Sequence, residues 1–352
     1  MNPKKFAVLI PVYNEEIVIG GTIDALVAAG MAISDIYVVN DKSTDNTAAV
    51  AASYGVSVYT VPVNGGKARA QTAALQYFML CDRYDWIIFL DGDSKVGKNF
   101  GNSLKSAAYN DPAVALFVGQ VKSVKNDHVF SAYRSFEYTL SHDLAKKAQD
   151  NFNVVYVSPG CASMYRADVL SKLEIDSATL AEDMDLTIQV HRLGMKVSYI
   201  EGAEVYTQDP NNMKDYHKQI LRWYRGFWQV VKKHNVLWWG PKRPVDLYMW
   251  MIIADAIFLN RFVYLAAVIM AFPGVSLIAI LVDIGFAFAI ACYSAWKTKR
   301  VDVITKFPIY YWLGYLNFYA LSRAFIETMV MRKNLLTWNK VKRYEYNNNT
   351  TT

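Results

Sequence analysis

The chain has 352 residues, of which 53% are hydrophobic and 14% aromatic, yet its mean hydropathy is only +0.09, so the apolar residues are concentrated in part of the chain. From Asp246 to Trp296 few residues are charged, whereas the first 240 residues resemble an ordinary soluble domain. The formal charge of +6 lies partly in basic clusters beside the apolar segments, which fits a membrane protein and argues against nucleic acid as a partner.

The first 210 residues alternate between short apolar, β-branched runs and helix-like stretches. The predicted strands are residues 6–13, 36–41, 56–62, 86–93 and 114–121, and the predicted helices are residues 16–29, 45–54, 67–82 and 98–109. The first run, FAVLIPVY, is too short for a signal peptide and no cleavage pattern follows it, so we interpret it as a buried strand of a cytosolic domain. The alternation predicts an α/β fold with a mostly parallel sheet, whose ligands bind beyond the carboxyl ends of the strands.

Polar residues follow three of these strands. They are Asn14, Glu15 and Glu16, then Asn40 and Asp41, and finally Asp91 and Asp93. The two carboxylates of Asp91-Gly92-Asp93 could hold Mg²⁺ or Mn²⁺ together with substrate phosphates. A polar exit from the strand explains the pattern equally well. Asp41 is open to the same two interpretations, and Asp45 also fits a helix cap.

Two loops are rich in small residues. Gly65-Gly66-Lys67 could bring the backbone close to a phosphate or a base, but it lacks the spacing of a Walker loop, and a simple glycine turn is favoured. The run from Ser158 to Ser163 could admit a ligand or could be a tight turn before a helix at Ala167. Cys161 within it has no base beside it in the sequence, so we do not expect a nucleophile. The three cysteines show neither metal spacing nor a disulfide framework, so we expect reduced thiols.

Two later motifs also have two interpretations each. Glu182-Asp183 begins a helical pattern, so Asp183 is either a helix cap, which the local sequence favours, or a general base in a cleft. In QILRW, Gln219, Arg222 and Trp223 share one helical face that suits a diphosphate and a sugar ring. An interfacial helix anchored by Trp and Arg would have the same pattern. The further tryptophans that we interpret as such anchors are Trp228, Trp238 and Trp239.

The last third of the chain contains three apolar segments. Residues 246–272 and 275–296 are long enough to cross a bilayer, and residues 307–331 form an aromatic-rich third segment. Basic clusters lie at 232–243, 297–306 and 332–343, and the positive-inside rule puts all three in the cytosol. Two full spans satisfy that rule, so we expect the third segment to be interfacial or re-entrant. The polar tail is expected to be disordered.

Seven motifs follow one another along the chain, namely PVYNEE, NDKSTD, NGGKARA, FLDGD, SPGCASMYR, AEDMDL and QILRW. Their order over roughly residues 5–235 resembles the family-two glycosyltransferases with a GT-A fold. The chain is most similar to their membrane-bound processive branch, which includes hyaluronan, chitin, cellulose and poly-N-acetylglucosamine synthases. The combination of DXD, ED and QXXRW before membrane helices is the specific part of the resemblance, since a DXD motif alone is common.

The resemblance implies a role for each matching residue, with a UDP-sugar as donor and Mg²⁺ or Mn²⁺ as cofactor. Asp183 would be the catalytic base, and Asp93, with Asp91, would bind the metal. The residues implied in donor binding are Pro11, Tyr13, Glu15, Asp41, Lys67, Asp91, Gly92, Gln219 and Arg222. Those implied in acceptor binding are Gly160, Cys161, Glu182 and Trp223.

We therefore expect a GT-A domain over residues 1–212, an interfacial region over 213–244, membrane helices over 245–331 and a basic tail over 332–352. The expected protein is an inverting polysaccharide synthase of the plasma membrane with a cytosolic catalytic domain. Few membrane helices are predicted, so an oligomer could be needed for export. The alternatives are a non-processive enzyme with a lipid-linked acceptor, and a channel or scaffold whose catalytic domain is inactive. The carboxylates at 91, 93 and 183 argue against the last.

Overall fold

A computed structural model describes residues 3–125, 128–237, 243–256, 261–333 and 335–336. The chain divides into two compact units. The first unit contains residues up to 124 together with 146–208, and the second contains 125–145 together with 209–335. Residues 125–145 therefore group with the C-terminal helices, although they precede the predicted boundary at 212. The predicted tail from 337 onward lies outside the described residues.

The first unit is built on an eight-stranded sheet with the order β3-β2-β1-β4-β7-β6-β8-β5. The strands are β1 Phe6–Val12, β2 Ile36–Asn40, β3 Ser57–Thr60, β4 Trp86–Phe89, β5 Lys95–Val96, β6 Val114–Ser123, β7 Ser163–Arg166 and β8 Lys196–Thr207. The first four strands are parallel, as predicted. β6 pairs parallel with β8, whereas β7 runs antiparallel to both β4 and β6, and β5 runs antiparallel to β8. The sheet is therefore mixed but mostly parallel, as predicted, with β5 and β7 as the reversed strands among the eight described.

Helices follow the strands much as the sequence predicts. The α-helices are α1 Ile19–Ala28, α2 Thr47–Ser53, α3 Lys67–Tyr77, α4 Leu80–Arg83, α5 Phe100–Asn110, α6 Val129–Tyr138, α7 Lys147–Asn151, α8 Ala167–Leu170, α9 Glu182–Arg192, α10 Met213–Lys233, α11 Pro244–Ala254, α12 Arg261–Ala271, α13 Ser276–Thr298, α14 Asp302–Thr305 and α15 Phe307–Phe325. The predicted helix over 67–82 is divided in two because Met79 has the left-handed φ of +51°. The predicted turn before Ala167 is partly strand β7.

The central strands β1, β2 and β4 are buried on both faces of the sheet. Every residue of β1 is buried, which is why its sequence is continuously apolar rather than alternating. One face packs against α3, α8 and α9 through a large apolar cluster that includes Leu9, Phe89 and Leu186. Because β1, β2 and β4 are parallel, their carboxyl ends share one edge of the sheet. Tyr13, Asp41 and Asp91 all follow that edge.

The second unit is helical. It contains α6 and α10 to α15, and a π-helical segment, Thr139–Lys146, follows α6 and ends where the chain returns to the first unit. Polar contacts join its helices: the Ser294 hydroxyl lies 3.0 Å from that of Thr139, and the Arg300 guanidinium donates to the hydroxyls of Ser131 and Ser135 at 2.8 and 2.9 Å. These contacts hold α6 within the helical unit, although it lies far from α13 in sequence.

One helix of the described part of the chain, Ser276–Thr298, is long and apolar enough to cross a membrane, judged by length and composition alone. Little of its apolar stretch is buried, since only 11% of that stretch is covered. The described parts of the predicted span over 246–272 are the shorter helices α11 and α12, and residues 257–260 lie outside the described residues. The number of spans and the interfacial position of 307–331 stay predictions.

Candidate active site

Asp41 and the glycine loop form one structural element in the first unit. The two oxygens of the buried Asp41 carboxylate accept hydrogen bonds from the amides of Gly65 and Gly66 at 2.9 and 2.8 Å. Burial raises the pKa of Asp41, while the two amide contacts act in the opposite direction. Asn64 adds a hydrogen bond to the Asp41 carbonyl at 2.7 Å. The NDKSTD and NGGKARA motifs, which are separate in sequence, thus fix each other beyond the ends of β1 and β2.

The PVYNEE loop packs directly against the DGD motif. Pro11 lies in β1 opposite Val39 of β2, and Tyr13 follows the strand with its side chain half-buried. A Cβ built at Gly92 would lie 2.0 Å from the Glu15 carboxylate, so only glycine allows that carboxylate to lie against this backbone. Thr22 further fixes the turn, since its hydroxyl donates to the Gly92 carbonyl at 2.8 Å.

The Lys67 ammonium joins the DGD and ED motifs. Its nitrogen lies 2.7 Å from an Asp91 oxygen and 3.2 Å from a Glu182 oxygen. Burial would lower the pKa of Lys67, but the attraction of Asp91 and Glu182 outweighs burial and raises the pKa above its ordinary value. The lysine is therefore a fixed cation between two groups of carboxylates, at the first residue of α3.

Asp183 lies in the first turn of α9, and its two oxygens have different partners. Oδ1 accepts from the Met184 amide at 2.8 Å, which is a contact of the capping kind, and Oδ2 accepts from the Gly160 amide at 3.0 Å. Burial and the neighbouring Glu182 raise the pKa of Asp183 to about 6, although Lys67 and the two amides act against the rise. The two interpretations of this residue are thus compatible, because one carboxylate both caps the helix and is basic enough to accept a proton near neutral pH.

Two residues that the sequence analysis did not select surround Asp183. The buried Lys146 ammonium donates to the Val157 carbonyl at 2.6 Å, and burial lowers its pKa to about 8 despite the attraction of Asp183. The Thr187 hydroxyl donates to the Asp183 carbonyl at 2.7 Å and accepts from the Ser158 amide at 2.9 Å. Thr187 is four residues after Asp183, so helical spacing from the ED motif could have identified it.

The small residues of SPGCAS are required by this packing. A Cβ at Gly160 would lie 2.5 Å from the Lys67 nitrogen, so the glycine lets the lysine reach its carboxylates. Cys161 is buried, and burial together with Asp91 raises the pKa of its thiol well above the ordinary value. A protonated, buried thiol is a poor nucleophile, in agreement with the sequence analysis.

The donor set at the sheet edge fits a hard divalent cation. Asp93 is buried, Asp91 is partly exposed, and carboxylate oxygens are ligands that Mg²⁺ and Mn²⁺ accept. In the described part of the chain no three His, Cys, Asp or Glu side chains form a group that could hold a metal. A cation held by Asp91 and Asp93 would therefore complete its coordination with ligand oxygens and water, as Mg²⁺ usually does.

QILRW lies in the second unit, on the long helix α10, as the sequence predicts. Trp223 is 36% exposed, and Gln219 and Arg222 are half-buried. The expectation that Trp228 anchors a headgroup is wrong, because Trp228 is 1% exposed and packs edge-on against Phe325 with ring centres 4.9 Å apart. Trp238 and Trp239 lie outside the described residues.

The first unit therefore brings most of the selected residues into one group. Lys67, Asp91, Gly160, Glu182 and Asp183 are linked by the contacts above. Asp41 is held on the glycine loop that leads into α3, and Glu15 is packed on the DGD turn. Gln219, Arg222 and Trp223 belong to the second unit.

The family model described as "Glycosyltransferase like family 2" matches residues 3–226. The chain is 25% identical to the probable glycosyltransferase YdaM of Bacillus subtilis (strain 168), over 97% of this chain and 87% of that protein. It is 30% identical to an N-acetylglucosaminyltransferase of Rhizobium meliloti (strain 1021), over 62% of this chain and 54% of the relative, so the chain spans about half the length of that relative.

Two further similarities bear on polymer synthesis and on the fold. The chain is 18% identical to poly-beta-1,6-N-acetyl-D-glucosamine synthase of Staphylococcus epidermidis, over 84% of this chain and 72% of the relative. Among solved structures, the mannosyltransferase PcManGT from Pyrobaculum calidifontis, in complex with GDP-Man and Mn²⁺, matches with a TM-score of 0.59 and 17% identity. That match covers 88% of this chain and 87% of the other, and it agrees with the expected GT-A fold.

Proposed function

The chain belongs to the glycosyltransferase like family 2, and from that premise we propose that it transfers a hexose from a UDP-sugar to the end of a growing polysaccharide. The observation that carries the proposal is the ammonium of Lys67, which contacts both Asp91 and Glu182. This contact joins the carboxylates suited to a donor diphosphate with those suited to an acceptor hydroxyl. Two substrates held beside the same lysine would lie close enough to react.

The donor half consists of Asp91, Asp93 and Lys67. Asp91 and Asp93 would hold Mg²⁺ or Mn²⁺, which supplies positive charge to the diphosphate when bound. The support is the chemistry of the two carboxylates, together with the Mn²⁺ and GDP-Man found in the mannosyltransferase of similar fold. In the second unit, Arg222 and the amide of Gln219 suit a diphosphate by their own chemistry, since a guanidinium binds phosphate oxygens in pairs.

The acceptor half consists of Asp183 and the loop that holds it. Oδ2 of Asp183, oriented by the Gly160 amide, would take the proton from the acceptor hydroxyl. The acceptor oxygen then bonds to the anomeric carbon while the bond from that carbon to the UDP oxygen breaks, and the electron pair leaves with UDP. Attack from the face opposite UDP inverts the configuration. A pKa of about 6 leaves Asp183 largely ionised at pH 7 and still basic.

The relatives support N-acetylglucosamine as the first sugar to test. Two of them are named as an N-acetylglucosaminyltransferase and a poly-beta-1,6-N-acetyl-D-glucosamine synthase. Trp223, with more than a third of its surface exposed, offers an apolar plate on which a sugar ring can stack. We propose that it holds the acceptor end of the polymer during repeated additions.

Membrane association belongs to the same proposal. We propose that Ser276–Thr298 anchors the chain in the plasma membrane, with the catalytic residues in the cytosol. This helix also favours the second candidate function, in which the acceptor is a lipid-linked sugar or a polyprenyl phosphate. An acceptor in the same membrane would be presented to the enzyme at the membrane surface.

The test is to supply the purified, detergent-solubilised protein with each labelled UDP-sugar and size the product. A ladder or a high-molecular-mass polymer from UDP-N-acetylglucosamine supports the synthase. A single-sugar adduct that extracts with lipid supports the alternative. Absence of both transfer and UDP release with every donor, with and without a lipid extract, would contradict the proposed function.

A further inference from the structure

Arg134 is a buried cation that the seven motifs do not include. It lies on α6 in the second unit and is only 2% exposed. A buried arginine needs partners for its charge and for its donor nitrogens. In this unit the partners include two residues of QILRW, and they lie on one face of α10 with Tyr216. The spacing of Tyr216, Gln219 and Trp223 is i, i+3 and i+7, which keeps all three on that face.

The guanidinium contacts each of these three residues differently. Its Nη2 donates to Oε1 of Gln219 at 2.7 Å. Its centre lies 4.5 Å from the ring centre of Trp223 and 4.9 Å from that of Tyr216, both within cation–π range. One planar group therefore holds the amide and the indole of the motif at the same time.

Arg134 is itself held in place. Its Nη1 pairs with Oε2 of Glu137 at 2.5 Å, and its Nε lies 3.9 Å from an oxygen of the buried Asp209. The second oxygen of Glu137 accepts from the Asn317 amide at 3.0 Å, and Asn317 in turn accepts from the Tyr216 hydroxyl at 2.7 Å. This ring of contacts joins α6, α10 and α15 and leaves the guanidinium little freedom to move.

The contacts decide which groups of QILRW remain for a ligand. Arginine has donors and no acceptor, so the Gln219 amide must direct its oxygen toward Arg134 and its NH₂ elsewhere. An NH₂ group is the end that can donate to a diphosphate oxygen. For Trp223, the guanidinium covers the indole face that it contacts, so a flat apolar ligand such as a pyranose ring would bind the other face.

We propose that Arg134 is a positioning residue, which orients Gln219 to donate to the diphosphate of the donor and Trp223 to stack on the acceptor sugar. The proposal rests on the proposed function for the chemical identity of these two ligands. The orientation of the two side chains is a separate claim and is tested separately below.

The kinetic test is a cycle of substitutions on the full-length protein. Arg134→Lys keeps the charge but loses the planar fork, so we expect kcat/KM for sugar transfer and kcat/KM for UDP-sugar hydrolysis each to fall by at least about tenfold. In a Gln219→Ala/Trp223→Ala background the same substitution should change UDP-sugar hydrolysis by less than about twofold, because Arg134 acts through the two residues already removed. An equal loss in both backgrounds would overturn the proposal.

A matched control is present in the same unit. Arg300 is also a buried arginine, and its guanidinium donates to Ser131 and Ser135 of the same helix and to the carboxylate of Asp302. Arg300→Lys should lower the melting temperature and leave kcat/KM for transfer within about twofold, because the loss is one of packing and hydrogen bonding. Equal losses of transfer for both arginine variants would show that Arg134 has a structural role only.

Structure determination of a charge-balanced variant tests whether Arg134 orients Gln219 and Trp223. This test does not depend on the detection of sugar transfer. Arg134→Met/Glu137→Gln removes the buried cation together with its nearest anion, which limits the loss of folding stability. This variant also replaces Arg134→Lys as the test if Arg134→Lys does not fold. We expect Gln219 and Trp223 to adopt new rotamers in this variant. Unchanged rotamers would overturn the proposal, and failure of the wild-type protein to transfer sugar would instead contradict the proposed function.

Discussion

Gly160 contacts the two groups on which the proposed chemistry depends. Its amide donates to Oδ2 of Asp183 at 3.0 Å, and its α-carbon lies so near the Lys67 ammonium that a Cβ there would be 2.5 Å from the nitrogen. The orientation of the base and the position of the cation are thus set by one residue without a side chain. The function of SPGCAS is therefore explained by close packing of the backbone rather than by the reactivity of Cys161.

Gly160→Ala tests this relationship. The added methyl group should displace the end of Lys67 from Asp91 and Glu182, and because that end is flexible the fold should survive. We expect kcat/KM for the donor to fall by about tenfold to a hundredfold, the scale of a small misplacement in an active site. The measurement is steady-state kinetics with melting temperature as the check on folding. Gly285→Ala is the control, since in the described part of the chain no atom beyond the adjacent helix backbone lies within 4 Å of a Cβ built at Gly285. Equal kinetics for Gly160→Ala and wild type would contradict the role given to Gly160.

Removal of a proposed metal ligand should abolish transfer. Asp93→Asn weakens the cation site, and the charges of Asp91 and the donor diphosphate would then repel each other. We expect activity to require Mg²⁺ or Mn²⁺ and to be nearly lost in the variant, as measured by UDP release with added metal. Asp82→Asn, at an exposed aspartate of α4, should remain active. Full turnover in excess EDTA would contradict the metal proposal.

Asp183 should determine the acid limb of the pH profile. Burial and Glu182 raise its pKa to about 6 while Lys67 opposes the rise, so the base is ionised above about pH 6 and protonated below it. We expect kcat/KM to fall about tenfold per pH unit below 6, rather than near the ordinary aspartate pKa of about 4. Asp183→Asn should lower the rate by at least about a hundredfold and remove this limb, with UDP affinity retained. A limb that persists in Asp183→Asn would assign it to another group.

The same pKa shift has a consequence for stability. A folded-state pKa raised above the unfolded value means that folding favours the protonated form of Asp183, so its stabilising contribution is present below about pH 4 and is lost as the pH rises through 6. At pH 7 the ionised carboxylate therefore lowers the free energy of unfolding. Asp183→Asn should consequently melt at a higher temperature than wild type at pH 7, with a smaller difference at pH 4.

Substitutions of Trp223 and of Arg222 should have different effects on polymer length and on hydrolysis of the donor. Trp223→Ala removes the surface on which the acceptor would stack. Stacking contributes on the order of 1 kcal/mol to binding, by analogy with aromatic pairs. We therefore expect shorter polymer and continued slow hydrolysis of the donor. Arg222→Ala should lower hydrolysis and polymer together, because the leaving diphosphate loses a cation. Product length on gels beside UDP release distinguishes the two. A wild-type product limited to a single-sugar lipid adduct would replace the synthase with the lipid-acceptor enzyme.

The sequence predicted those parts of the fold that local patterns determine. β1 to β4 and β6 were found because each is a short apolar run, and α10 was found through the spacing of QILRW. β5 has two residues and β7 has four, so neither carries a recognisable period. β8 alternates between more and less buried residues. An alternating pattern of this kind in the sequence is the usual signal of a half-buried strand, and it could have been used to predict β8.

The sequence predicted which residues belong to the candidate site more fully than it predicted which of them are in contact. Motif spacing indicated Asp91 and Asp183, but no local pattern shows that Lys67 contacts Asp91 and Glu182, since these three residues are brought together only by the sheet. Asp41 was expected among the donor-binding residues, and no local pattern shows that its carboxylate accepts hydrogen bonds from the amides of the glycine loop. Arg134 has no sequence signal, because a single arginine in an amphipathic helix is ordinary.

The shared ammonium of Lys67 has a thermodynamic consequence. A cation 2.7 Å from Asp91 and 3.2 Å from Glu182 cannot move toward one carboxylate without changing its attraction for the other. Any ligand that alters the charge at Asp91 therefore changes the electrostatic environment of Glu182 and of Asp183 beside it. Coupling of this kind is reciprocal, so an acceptor bound near Asp183 must change the affinity for the donor by the same factor that the donor changes the affinity for the acceptor. The affinities for the two substrates are thus linked through the position of a single side chain.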